Sequence, residues 1–269
     1  MTENSSRFVG SIPENYDKGL GPILFEDYAE DLTRRAVAHK ATKVIEIAAG
    51  TGIVSRKLRD QLPLDTKLVI TDLNPPMLDV ARAKFKNGEN VEFTPADAMS
   101  LPFDDESCDL VVCQFGVMFF PDKPAAYREV RRVLGPDGLF LFNAWGTMEA
   151  CSFAKIIYDV GAKFFPDNPP TFYQVPFSYA DLDTVYSDLA TAGFQNYQHE
   201  TVDIVKEVPD WGAFGKGAVF GNPLVDEINQ HGTVSPEQVM DAIVAALANH
   251  FGAAPASIPL QATIYSASK

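Results

Sequence analysis

A chain of 269 residues with 46% hydrophobic content and mixed charges can bury a sizeable core, which excludes a disordered or fibrous protein. Its formal net charge of −14 argues against a nucleic-acid backbone or an anionic membrane as partner, and no apolar run reaches transmembrane length. The three cysteines (Cys108, Cys113, Cys151) show no metal-type pairing with histidine, and an odd count without a signal peptide fits a reducing cytoplasm.

Residues 1 to 12 are polar, with Phe8 and Val9 able to fold over a ligand. From Pro13 a proline-punctuated start leads into a helical pattern through Ile23, Phe25, Tyr28, Leu32 and Ala36, whose aromatics either pack a leading helix or form a lid. Lys43 to Ile47 is a β-branched run suited to a strand buried on both faces of a parallel sheet. Ala48-Ala49-Gly50-Thr51-Gly52 then removes side chains where the backbone must turn and something can approach it closely, and Ile53 to Leu58 resumes as helix. Strand, small-residue loop and helix form the corner at which doubly wound α/β folds bind ligands.

The ligand's charge can be read from the same corner. A dinucleotide fingerprint would carry a third glycine, and Ser55 stands there instead. Glu46, inside the strand before the loop, would repel a phosphate but suits a cationic amino-acid group. S-adenosylmethionine has that group, carries a sulfonium and has no phosphate. The E-x-A-x-G-x-G spacing of Glu46, Ala48, Gly50 and Gly52, with Thr51 between the glycines, resembles motif I of class I S-adenosylmethionine-dependent methyltransferases.

A second strand, Lys67 to Thr71, ends in Asp72, twenty residues beyond Gly52. At that distance nucleotide-binding folds place an acid on ribose hydroxyls. The competing role, a helix N-cap, belongs more naturally to Asn74, which precedes Pro75-Pro76 and a helix from Met77 to Lys86. The resemblance implies that Leu73 lies against the adenine, with Met77 closing the same pocket. After a third strand, Val91 to Thr94, the pair Asp97-Ala98 matches the family's adenine-reading motif. Leu101 to Asp109 (LPFDDESCD) resembles the connector that follows it. Leu110 to Gln114 is an apolar fourth strand, with Gln114 and Phe115 at its carboxyl end facing the crevice. Ala125 to Leu134 is an amphipathic helix, whose Arg128, Arg131 and Arg132 form a solvated face. The string VLGPDGLFLFNAW, a turn at Gly135–Gly138 followed by a fifth strand to Trp145, is similar to the family's next element. Tyr16-Asp17 looks like the amino-terminal element that such enzymes set near the cofactor.

Beyond Gly146 the pattern loosens: a helix from Met148 to Phe165, a proline- and aromatic-rich stretch from Pro166 to Phe177, a helix from Tyr179 to Gly193, and alternating strands at Gln198–Val208 and Ala262–Ser266. Trp211 to His250 adds helices that the core does not require. The expected fold is therefore α/β and Rossmann-like, a doubly wound seven-stranded sheet, mostly parallel with one antiparallel strand, plus helical and aromatic lid segments. One domain spans 1–269: an amino-terminal lid (1–40), a cofactor-binding core (41–145), and substrate-cap insertions (146–178 and 211–250).

The resemblance, to the small-molecule type and in particular the ubiquinone/menaquinone-biosynthesis methyltransferases, implies methyl transfer from S-adenosylmethionine to a small acceptor. The aromatic lid residues (Tyr16, Phe25, Phe164, Phe165, Phe172, Tyr173, Phe177) suit an apolar or aromatic acceptor. No metal is expected, no catalytic residue is assigned, and the state is a monomer or a homodimer. His39, His199, His231 and His250 are the neutral-pH base candidates, each more often a surface or cap residue. An NAD-dependent oxidoreductase and a non-catalytic S-adenosylmethionine-binding protein are the alternatives.

Overall fold

The computed structural model describes residues 6–269, so the first five residues of the expected lid lie outside the described residues. Neighbouring residues of each central strand point to opposite faces of the sheet, and both faces are apolar. Val44, Leu68, Leu110 and Val112 join one buried cluster with Leu32 and Leu58. Ile45, Val69 and Val111 join the other with Tyr127 and Phe142. Strands with two apolar faces require helices on both sides. Helices α2 (Glu26–Ala38) and α3 (Ile53–Gln61) cover the first face. On the second lie α5 (Lys123–Val133), α6 (Ser152–Phe164), α8 (Trp211–Phe220) and α10 (Pro236–Phe251).

The seven strands are β1 (Lys43–Glu46), β2 (Lys67–Asp72), β3 (Val91–Pro95), β4 (Cys108–Gln114), β5 (Leu134–Trp145), β6 (Asn196–Val208) and β7 (Ala256–Ser268). They form one sheet in the order β3-β2-β1-β4-β5-β7-β6. β1 to β5 pair in parallel, and β7 runs antiparallel to both β5 and β6, which makes it the one reversed strand. The order reverses between β1 and β4, the point at which such sheets open a crevice beyond their carboxyl ends.

Three local readings of the sequence change. The last strand is 13 residues long rather than the five of Ala262–Ser266, and it pairs with β6 from Asn196↔Ser268 to Val208↔Ala256. The polar edge of this ribbon and Pro259 hid its first half. The Gly135–Gly138 turn lies inside β5 as a bulge, since Cys108 pairs with Leu134 and Leu110 already with Leu139. The proline-punctuated start from Pro13 is itself helical, as α1 (Ile12–Gly19), and joins α2 through a wide π-type turn (Gly21–Phe25) where Gly19, Gly21 and Pro22 interrupt the α-helical ladder.

Helix α1 is held to α8 by backbone contact. A Cβ on Gly19 would fall 2.6 Å from Gly217 Cα, and one on Gly221 would fall 2.8 Å from the Tyr16 nitrogen. Glycine inside a helix costs roughly 0.5–1 kcal/mol relative to alanine. Here it lets two helices touch, which fixes Tyr16 over the sheet.

Candidate active site

The loops after β1 and β4 meet at the switch point, and both carry residues in the left-handed region: Ala48 at φ +51°, Gly50 at +57° and Phe115 at +52°. A non-glycine residue there costs on the order of 1–3 kcal/mol, so other contacts must hold it. For Phe115 one is the hydrogen bond from its N–H to Asn143 Oδ1 at 2.9 Å. Gly116 has no room for a side chain, because a Cβ would lie 2.4 Å from the Ala48 Cβ. Gly52 is equally confined, with Ala81 2.8 Å from where its Cβ would be.

Asp72 ends β2 almost fully buried, at 6% exposure. Its Oδ2 accepts the Gly50 N–H at 2.8 Å, and its Oδ1 accepts the Asn74 N–H at 2.8 Å and Asn74 Nδ2 at 3.3 Å. Burial pushes this carboxyl above the usual range, against those hydrogen bonds. A carboxylate accepts about four hydrogen bonds, so three used leave room for one more donor. The Asn74 side chain does not cap the helix it precedes, α4 (Pro75–Arg82). Its Oδ1 accepts the Phe8 N–H and its Nδ2 donates to the Ser6 carbonyl, tying the amino-terminal segment across the cleft.

Glu46, at 1% exposure, accepts a hydrogen bond from the Ser55 hydroxyl. The residue in place of a third glycine thus orients the acid before the first. Burial pushes the Glu46 carboxyl up to about 8, the Ser55 bond opposes the rise, and Asp72 adds to it.

Three adjoining cavities surround these groups. The first, about 850 Å³ counted to its open mouth, is lined by Tyr16, Ala48, Gly50, Asp72, Leu73, Met77, Asp97, Ala98, Gln114 and Phe115 among others. The third, about 320 Å³, is lined by Glu46, Ala48, Gly50, Thr51 and Gln114, with Tyr16 and Phe25 at its edge. Gln114 Oε1 and Thr51 Oγ1 are buried there without partners among the described residues. Of the cofactor-binding candidates, only Gly52 lines none of the three; its missing side chain serves the packing of α3 against α4. Among the described residues no Lys, Arg or His lines the first or the third cavity, while Glu46, Asp72 and Asp97 supply three acids. Such walls fit a cationic ligand and oppose a pyrophosphate.

The second cavity, about 500 Å³, shares Phe8, Tyr16, Phe115 and Phe119 with the first. Its other walls include Phe25, Trp145, Phe153, Phe172, Tyr173 and Phe177. Five of the seven aromatics expected in the lid therefore lie together here. Phe164 and Phe165 do not; Phe165 stacks on His231 at 4.1 Å instead. The sequence left Phe119, in the turn after β4, evenly balanced between core and site, and assigned no site role to Trp145, the last residue of β5, where an apolar residue reads equally well as core.

None of the four candidate histidines lines a cavity. His39 Nε2 lies 3.1 Å from the Asp109 carbonyl, His199 bonds Tyr186, and His250 packs edge-on to Phe251. The arginine face of α5 is less solvated than expected, because Arg132 bonds Glu129, Asp105 and the Leu101 and Phe103 carbonyls.

Comparison with known proteins agrees with this geometry. A family described as a methyltransferase domain matches residues 45–142. The demethylmenaquinone methyltransferase of Staphylococcus carnosus is 27% identical over 209 residues, covering 73% of this chain and 87% of its own. The ubiquinone/menaquinone biosynthesis C-methyltransferase UbiE of Hahella chejuensis is 41% identical over 101 residues, covering 36% of this chain and 41% of its own. Among solved structures, the YcgJ protein of Bacillus subtilis superposes with a TM-score of 0.61 at 21% identity, over 90% of this chain and 99% of its own, and shares the fold. Acid-lined cleft, sheet order and sequence matches converge on one identity, an S-adenosylmethionine-dependent methyltransferase with the class I fold.

Proposed function

We propose that this enzyme methylates a small apolar or aromatic acceptor held in the second cavity. The observation that carries the reading is the aromatic-walled cavity beside the cofactor cleft, bounded in common with it by Phe8, Tyr16, Phe115 and Phe119. The printed names of the two relatives, both quinone-biosynthesis methyltransferases, agree with an aromatic acceptor.

In this reading Asp72 uses its remaining acceptor position on a ribose hydroxyl. Asp97 and Ala98 read the adenine, with Leu73 and Met77 against its faces. Glu46, Gln114 Oε1 and the Thr51 hydroxyl hold the amino-acid end, which the Gly50 and Ala48 backbone approaches. Bound S-adenosylmethionine supplies an activated methyl group, displaced in line from sulfur onto the acceptor. Tyr16, Phe25 and Phe115 turn negative aromatic faces toward the sulfonium position, align the acceptor and exclude water. The described residues place no basic side chain against the second cavity, so an acceptor proton leaves to solvent. Segments 1–40, 146–178 and 211–250 act as lid and caps over a 41–145 core within one domain. The three buried free thiols suit a reducing cytoplasm.

Stabilisation by S-adenosylhomocysteine with none by NAD, followed by an acceptor screen reading out S-adenosylhomocysteine formation, tests this proposal. Turnover confined to sugars or other fully polar acceptors would overturn it.

A further inference from the structure

We propose that Asn143, which lines none of the three cavities, is a positioning residue for the acceptor: one hydrogen bond from the Phe115 N–H to its side chain sets the Phe115 ring as a partition between the cofactor cleft and the aromatic cavity. The inference rests on the second cavity being the acceptor site.

Asn143 stands on β5 opposite Gln114 of β4 and Ile264 of β7, and it is fully buried. Leu141 and Ile264, its neighbours on that face of the sheet, belong to an apolar cluster. A carboxamide in such a place is costly unless its groups are bonded. Its Nδ2 has no partner among the described residues, and its Oδ1 accepts one bond, the Phe115 N–H at 2.9 Å. The partner fixes which end is oxygen, because the reversed amide would set two N–H donors against each other. One neutral hydrogen bond does not recover the cost of a buried amide whose nitrogen is unbonded. Stability alone therefore does not account for asparagine at 143.

What the bond does is hold Phe115. Its φ of +52° lies in a region that aromatic residues rarely adopt. The loop cannot retreat on the other side, since Gly116 is pressed against the Ala48 Cβ. Held there, the Phe115 ring stacks on Trp145 at 3.9 Å and meets Tyr28 edge-on at 5.5 Å. Asn143 and Trp145 are two residues apart on β5 and share a face. One strand thus grips the backbone of Phe115 and seats its ring. Without the bond, Phe115 relaxes toward negative φ, its Cα–Cβ bond swings, and the ring leaves the wall common to both cavities. The acceptor then loses the surface that aligns it with the cofactor.

The test uses the full chain labelled with 5-fluorotryptophan, whose two resonances report Trp145 and Trp211 and are assigned with Trp211→Phe. Asn143→Leu keeps the shape and removes the accepting oxygen; Asn143→Ala takes its place should the leucine variant not fold. The variant is expected to shift the Trp145 resonance and leave that of Trp211 in place. It should also weaken 1-naphthol, titrated by calorimetry into enzyme saturated with S-adenosylhomocysteine, by roughly tenfold. Asn143→Asp, which keeps an accepting oxygen, should restore both readings. In a Phe115→Gly background the ring is gone and glycine adopts the left-handed conformation freely, so removing the Asn143 oxygen should weaken 1-naphthol no further. An unmoved Trp145 resonance, an unchanged 1-naphthol affinity, or losses that add in the Phe115→Gly background would each overturn the proposal and leave the acceptor cavity standing. Failure of 1-naphthol to bind the wild type, with the Trp145 resonance still moved by Asn143→Leu, sinks the acceptor-cavity reading and the role of Asn143 with it.

Discussion

The Phe115 ring lies parallel to the Trp145 indole, with 3.9 Å between centroids and 8° between planes, although the Phe115 backbone is left-handed. Phe115 lines both the cofactor cleft and the aromatic cavity, and Trp145 lines only the latter. Stacked aromatic pairs contribute about 0.5–1.5 kcal/mol beyond area burial, comparable with the strain of the backbone that presents the ring. Trp145→Ala should lower stability by about 3–5 kcal/mol, as large core truncations do. It should also weaken apolar probes more than S-adenosylhomocysteine. Urea denaturation and calorimetry read the two effects separately, and equal losses for both ligands would contradict the separation of the cavities.

Asp72→Ala should weaken cofactor binding by about 1–3 kcal/mol, the range for hydrogen bonds to a charged group. Because Asp72 also accepts the Gly50 and Asn74 N–H groups, melting temperature should fall as well. Asp72→Asn separates the roles: one amide oxygen can keep one loop contact while the charge is lost. Unchanged affinity with a lower melting temperature would make Asp72 a loop brace alone.

Glu46 ties both stability and binding to pH. Its folded-state pKa of about 8 lies above the ordinary 4.5. The folded protein therefore holds the extra proton between those values, and the contribution is complete below pH 4.5 and lost as pH rises toward 8. Glu46→Gln should flatten the decline in stability from pH 5 to 8, an effect on the order of a few kcal/mol. A cationic group seated on Glu46 requires the carboxylate, so cofactor binding near pH 6 should release a proton in the wild type and none in the variant. Calorimetry in buffers of different ionisation enthalpy counts that proton.

Phe172 and Tyr173 both line the aromatic cavity and are buried at 4% and 6% exposure, so packing and lining are one role for them. Phe172→Ala should cost about 3–5 kcal/mol of stability. Phe177, only partly buried, is the cleaner probe. Phe177→Ala should leave melting temperature and S-adenosylhomocysteine affinity near wild type while reducing turnover of an apolar acceptor. A loss of several degrees would place Phe177 in the structural core.

The cofactor side of the molecule was legible because its determinants are local. The β-branched runs, the Ala48–Gly52 loop and the acids at strand ends are each set by a few consecutive residues, and the fold keeps them at one sheet edge. The partners of those acids were not legible. Ser55 on Glu46 and Phe8 on Asn74 join residues 9 and 66 apart, and nothing local marks either bond. The aromatic cavity was half visible: its residues were identifiable as rings, but Phe165 and Phe172 differ in fate only through the turn between them. Asn222, which lines the same cavity, reads in sequence as an ordinary residue after a glycine. The long β6–β7 ribbon was shortened in the reading because its outer face is polar and Pro259 sits inside it.

Tyr16, Phe8, Phe115 and Phe119 each face two chambers at once, and Tyr16 rides on a helix anchored to α8 by glycine contacts. A molecule seated in either chamber thus reshapes the boundary of its neighbour. Thermodynamic reciprocity then requires that any factor by which an acceptor tightens the enzyme's hold on the cofactor be returned, equal in size, to the acceptor. Four aromatic side chains are thus the surface across which binding in one chamber is coupled to binding in the other.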